Sequence, residues 1–127
     1  MEISTGFRNI LEIGFGVLYL IGGAFHILYT LRHGDDFFGS FAKKAWFHPG
    51  KWFIIRFVLP NPRPFTLTLI LFQLMVAVAL LSRGPYVGLG LLAGVVFNLY
   101  AVFVSYIRGA VLNIGLALVQ FYLASGR

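Results

Sequence analysis

The chain contains no cysteine and little charge. Of its 127 residues, 11% are charged, with four acids against ten lysines and arginines. The missing cysteine excludes thiolate catalysis, disulfide exchange, iron–sulfur ligation and cysteine-type zinc sites. The low charge excludes an ordinary water-soluble domain, in which about a quarter of the residues are charged. Histidine is also sparse, at three residues. His26 and His33 stand two helical turns apart, too far for one ion on a straight helix. Neither H-E-x-x-H nor a di-iron Glu-x-x-His pattern occurs, so no metal site is expected. One histidine inside a span cannot supply bis-histidine haem ligation. No Ser/His/Asp arrangement and no phosphate-binding glycine loop stands in the chain.

What is present is apolar: 59% of residues are hydrophobic and 17% aromatic. A fold this short cannot hide so much apolar surface from water, whereas lipid accepts it. Crossing the hydrocarbon core takes about 20 mostly apolar residues. Four stretches fit, at about 9–31, 65–82, 85–107 and 109–124. The second follows Pro60, Pro62 and Pro64, which suit a linker ahead of a helix. Pro85 suits the first turn of the third. The apolar run of the first continues past Gly22-Gly23-Ala24, which favours a retained span over a cleaved signal peptide. Turns at Ser82-Arg83-Gly84 and Arg108-Gly109 are tight, and short connections make antiparallel neighbours. The expected fold is a single all-α domain, an antiparallel four-helix transmembrane bundle.

Residues 32–64 form the long connection. They interleave Phe37, Phe38, Phe41, Trp46, Phe47, Trp52, Phe53 and Phe57 with Lys43, Lys44, Lys51 and Arg56, and Asp35-Asp36 suits a helix start. Such a segment is expected in the interface, its rings at acyl depth and its cations among anionic lipid head groups. An ordinary packed loop over the bundle end is the plainer alternative. The formal charge of +6 therefore points to lipid rather than nucleic acid. Arg8, Arg83 and Arg127 share the face of the termini, and the larger basic set lies opposite. The positive-inside rule then puts the long segment in the cytoplasm.

Polar residues inside spans are costly and face the bundle interior. Glu12, Tyr19 and His26 recur at seven-residue spacing, with Thr5 and His33 on the same line beyond the bilayer. Gly90, Gly94, Asn98, Ala101 and Ser105 share a face of the third span, Asn113, Ala117 and Gln120 of the fourth, and Gln73 sits near the middle of the second. At about 1.5 Å per residue, Tyr19, Gln73, Asn98 and Gln120 fall near mid-bilayer. Two readings compete for this axis. One is helix glue, with amides and hydroxyls bonded across helices. The other is a ligand-binding or proton-relay cavity built from Glu12, Tyr19, His26, Gln73, Asn98, Asn113 and Gln120. Glu12 has a simpler option in an ion pair with Arg8 one turn earlier.

The chain resembles the DoxX-like family of small bacterial four-helix membrane proteins. The resemblance runs through Arg8 to Gly22-Gly23-Ala24-Phe25-His26, the aromatic segment, Phe72-Gln73-Leu74 with Ala77-Val78-Ala79-Leu80-Leu81, a glycine-rich third span and Asn113. It implies an integral protein of the bacterial inner membrane. Relatives often carry glutamate at the position matched to Gln73, and some are linked to quinone-coupled oxidation of sulfur compounds. Disulfide-handling relatives do not fit a chain without cysteine. The leading expectation is an accessory or ligand-binding subunit that takes a quinone or lipid, with a protein partner or a second copy beside it. A quinone-linked oxidoreductase subunit, with Tyr19 and His26 as donors to quinone oxygens, and a small transporter are the alternatives.

Overall fold

The computed structural model describes residues 4–105 and 107–126. Tyr106 and Arg127, assigned above to the third span and the terminal face, lie outside the described residues. Among those described, all regular structure is helical.

Helix α1 (Thr5–Phe25) starts at Ser4, whose Oγ accepts from the Phe7 N–H at 3.1 Å and satisfies one of the helix's unpaired donors. It runs straight into a π-helical turn, His26–Thr30, in which the Leu31 N–H bonds His26 O, five residues back, at 3.0 Å. Two short helices follow, α2 (Gly34–Lys44) and α3 (His48–Phe53), and α3 runs into a second π-helical turn, Ile54–Val58. The remaining helices are α4 (Pro62–Leu81), α5 (Val87–Val104) and α6 (Ile107–Ser125).

Four helices are long and apolar enough to cross a membrane: Thr5–Thr30, Pro62–Leu81, Val87–Val104 and Ile107–Ser125. At about 1.5 Å per residue, their 18–26 residues reach about 27–39 Å, against a hydrocarbon core of about 30 Å. Only 28–33% of each apolar window is buried inside the protein. Leu28 is 76% exposed, Val78 68% and Ile10 67%. Apolar surface on this scale is what an integral membrane protein presents to lipid and what a soluble monomer avoids.

The boundaries differ from the sequence expectation in two instructive places. Helix α4 begins at Pro62, with Pro62 and Pro64 inside its first turn. Proline is tolerated there because a first-turn N–H has no intrahelical partner to lose. Helix α5 begins at Val87, so Pro85 belongs to the turn before it. Residues 32–64 are mostly helical, and Asp35 and Asp36 occupy the first turn of α2, where the helix dipole favours anions.

Two apolar clusters hold the chain together. Phe15, Tyr19, Val76, Ala77, Leu80, Val87, Leu91 and Leu123 draw on α1, α4, α5 and α6. Phe38, Ala42, Ile54 and Val58 form the second, with Phe53, Phe65, Leu69 and Val104 packed against it. Glycine sets the closest approach between α1 and α4. A Cβ added at Gly16 would stand 2.8 Å from the Leu81 side chain, and one at Gly23 2.7 Å from that of Leu74.

Candidate functional site

The polar residues of the spans separate into groups at different levels. At the terminal end, Glu12 is fully buried and meets Arg83 Nη2 at 2.9 Å. The same nitrogen donates to Asn9 Oδ1 at 2.7 Å, and Nη1 donates to Leu80 O at 3.3 Å. Arg83 sits just past α4 at φ 58°, a left-handed position usually filled by glycine. Its own side chain explains the choice: it folds back onto the end of α4 and neutralises a carboxylate on α1. Arg8 is used elsewhere as well. Its Nη1 donates to Leu123 O at 2.6 Å, near the end of α6, where the helix dipole favours a cation.

The second group lies deeper and joins three helices. Asn98 Nδ2 (α5) lies 2.8 Å from Gln120 Oε1 (α6), 3.0 Å from the Tyr19 hydroxyl (α1) and 2.9 Å from Gly94 O. Gln120 Nε2 donates to the Tyr19 hydroxyl at 2.9 Å, and that hydroxyl donates to Gly94 O at 3.3 Å. The phenol has one proton and two lone pairs. Within this ring it gives the proton to Gly94 and accepts from both amides, so its capacity is used inside the protein. Gly94 makes the approach possible, because a Cβ there would stand 2.8 Å from both Gln120 Oε1 and the Tyr19 oxygen.

The third group lies toward the other end of α1. His26 Nδ1 and Thr30 Oγ1 are 2.8 Å apart and both residues are buried. The π-helical turn produces this pairing. Its larger number of residues per turn brings residues four apart almost into line, so Thr30 takes the inward place and His33, next in the seven-residue series, is exposed beside Asp36. The His26 ring meets the Phe37 ring edge-on at 5.3 Å between centroids.

Gln73 belongs to the seam between α1 and α4 and contributes to none of the hydrogen bonds of the Tyr19 ring. It is 7% exposed, and its Oε1 is the buried side-chain oxygen or nitrogen that has no hydrogen-bond partner among the described residues. Gly22 makes room for this amide: a Cβ there would stand 3.0 Å from Nε2 and 3.2 Å from Oε1. His26 follows Gly22 by four residues on the same face of α1. Asn113 bonds within its own helix, Nδ2 to Gly109 O at 2.7 Å, and is only half-buried.

Comparison with protein-family models, with curated proteins and with solved structures gave no match.

Of the seven residues proposed from sequence, the structure thus brings Tyr19, Asn98 and Gln120 together. It places Glu12 with Arg83, His26 with Thr30, Asn113 on its own helix and Gln73 in the α1–α4 seam. Among the described residues there is no group of three or more His, Asp and Glu side chains able to hold a metal. Arg83 was the partner missed. Its signal was its depth, since the α4–α5 turn lies at the terminal end of the bundle, level with Glu12. Thr30 was also legible, four residues from His26 and so its neighbour on one helix face.

Proposed function

We propose that this chain is an integral protein of a bacterial inner membrane, an antiparallel four-helix bundle of the DoxX-like kind, serving as an accessory subunit that binds a quinone or a lipid. The guest meets the protein at Gln73, in the seam between α1 and α4. The observation that carries this reading is the buried, unpartnered Gln73 oxygen. Every other buried amide of the spans has a partner, and an orphaned buried polar atom costs about 1–3 kcal/mol. A glutamine can present either end of its amide. It meets a quinone carbonyl through Nε2, and a quinol or glycerol hydroxyl through Oε1. Gly22 lets α1 pack closely on the amide, and His26 stands one turn further along the same face of α1.

The order of contacts along the seam supports the antiparallel arrangement. Gly16 faces Leu80 and Leu81, Gly22 faces Gln73 and Gly23 faces Leu74, so one helix rises as the other falls. The cytoplasmic placement of residues 32–64 rests on the distribution of lysine and arginine alone.

The test is extraction in mild detergent followed by mass spectrometry of co-purifying small molecules. Wild-type protein is expected to retain a quinone or lipid that Gln73→Leu and His26→Ala lose. Gln73→Leu should also raise stability, because it removes an unsatisfied amide. An empty wild-type bundle holding a protein partner would overturn the ligand reading and leave a scaffold.

A further inference from the structure

The second π-helical turn builds a groove on the outside of the bundle, away from the Gln73 seam. Trp52, Ile55, Arg56, Phe57 and Pro60 line it, around a volume of about 590 Å³. Trp52 is 54% exposed, Ile55 50% and Phe57 49%. The Arg56 guanidinium carbon stands 6.0 Å from the centre of the Trp52 ring. Among the described residues, no carboxylate forms an ion pair with Arg56. An un-neutralised guanidinium therefore lies in an aromatic cleft, on a segment whose six basic residues outnumber its two acids.

The groove's level follows from what α3 packs against. Trp46 Nε1 donates to Val102 O at 2.6 Å, Phe47 lies against Phe103, and Phe53 meets both Tyr100 and Phe65. These partners belong to the last turns of α5 and the first turn of α4. The groove is thus level with the ends of two spans, where hydrocarbon gives way to head groups and where tryptophan concentrates.

We propose that this groove is a binding site for one anionic phospholipid. Arg56 holds the phosphodiester, for which its planar fork of donors is matched, and Ile55 and Phe57 lie against the acyl chains. Lys51, one turn before Ile55, adds positive charge on the same short helix. The other cations of the segment differ in kind. Lys43 and Lys44 occupy the last turn of α2, where they complement its dipole.

The chain's two tryptophans are Trp46 and Trp52, which gives a direct optical test. The full-length protein is reconstituted in vesicles containing either brominated phosphatidylglycerol or brominated phosphatidylcholine at equal mole fraction. Bromine quenches indole emission on contact, so the quenching curves report relative affinity. Phosphatidylglycerol should be favoured about fivefold, the factor expected for one cation at a head group. Arg56→Gln should abolish the preference, Arg56→Lys should keep part of it, and Trp52→Phe should remove the selective part of the quenching. Equal quenching by both lipids in the wild type, or a preference that survives Arg56→Gln, overturns the proposal. Retention of the selective part in Trp52→Phe places the lipid at Trp46 and overturns the site. Loss of the phosphatidylglycerol preference in inorganic phosphate, but not in chloride of equal ionic strength, assigns the site to the free anion and overturns the lipid as its occupant.

Discussion

Replacing Asn98 with alanine tests whether the Tyr19–Asn98–Gln120 ring holds the bundle. Asn98 donates across helix interfaces at 3.0 Å to Tyr19 and 2.8 Å to Gln120. Interhelical hydrogen bonds in membranes average about 0.6 kcal/mol, with a maximum near 1.7. Losing both removes about 1–2 kcal/mol. The substitution also leaves Gln120 Oε1 without its donor in a residue of 0% exposure, which adds about 1 kcal/mol. Alanine's better helix propensity returns about 0.5 kcal/mol. The net expectation for Asn98→Ala is a loss of about 2 kcal/mol, read by reversible unfolding in mixed micelles with rising dodecyl sulfate and followed by circular dichroism.

The stronger test is the coupling. Tyr19→Phe removes the hydroxyl that both amides bond, so once it is gone Asn98 has less to lose. The double variant should cost about 1 kcal/mol less than the two single losses together, as groups in one network do. Asn113→Ala is the control: its amide bonds only Gly109 of its own helix, and it should change stability by less than about 0.5 kcal/mol. Additive losses, or an Asn98→Ala loss no larger than that of Asn113→Ala, would refute the reasoning.

Three further outcomes follow from the packing. Arg83→Gln takes the guanidinium away from the fully buried Glu12 carboxylate, so by the same unfolding assay it should cost about 2–3 kcal/mol and more than Glu12→Gln, which leaves a cation that is 29% exposed. Gly50→Ala places a methyl group into the backbone carbonyl of Phe103; it should lift α3 off α5, cost about 1–3 kcal/mol, and speed amide exchange over residues 46–58 while the four long helices stay protected. Gly94→Ala should cost about 1–3 kcal/mol by pushing on Gln120 and Tyr19, whereas Gly14→Ala, with nothing within 4 Å, should raise stability by about 0.4–1 kcal/mol in thermal melts.

The four long helices were legible because hydropathy over about 20 residues is a strong signal and needs no knowledge of neighbours. Depth counting was equally productive. It put Tyr19, Asn98 and Gln120 at one level, and those three share one hydrogen-bonded ring. It put Gln73 there too, but depth says nothing about rotation about the helix axis, and Gln73 faces Gly22 instead. The π-helical turns were invisible because a one-residue change of register leaves composition and hydropathy untouched. That is why His33 was drawn onto the polar line and Thr30 was not. The Arg83 pairing was hidden for a related reason, since positive-inside counting treats a turn arginine as a topology marker, not as a partner for a buried acid. Residues 32–64 were read as aromatic and basic, which they are. Their helices could not be bounded, because α3 has six residues and is held by contacts with α5.

The two amide environments decide where a guest can act. At Asn98 and Gln120 the amides already bond to each other and to the Tyr19 hydroxyl, and the Tyr19 proton is committed to Gly94 O. A quinone oxygen entering there would have to break bonds that hold three helices, and the gain of one hydrogen bond would not offset two lost. At Gln73 nothing has to break: the amide is desolvated, its oxygen has no partner, and the facing residue is Gly22. A leucine at that position would avoid the cost of the orphaned oxygen while keeping the apolar character of the seam. On the proposed reading, glutamine stands there for a hydrogen bond to a ligand outside the chain. The polar axis read from the sequence thus divides into a ring that joins three helices and one buried amide oxygen without a partner among the described residues, at which the proposed ligand would gain a hydrogen bond.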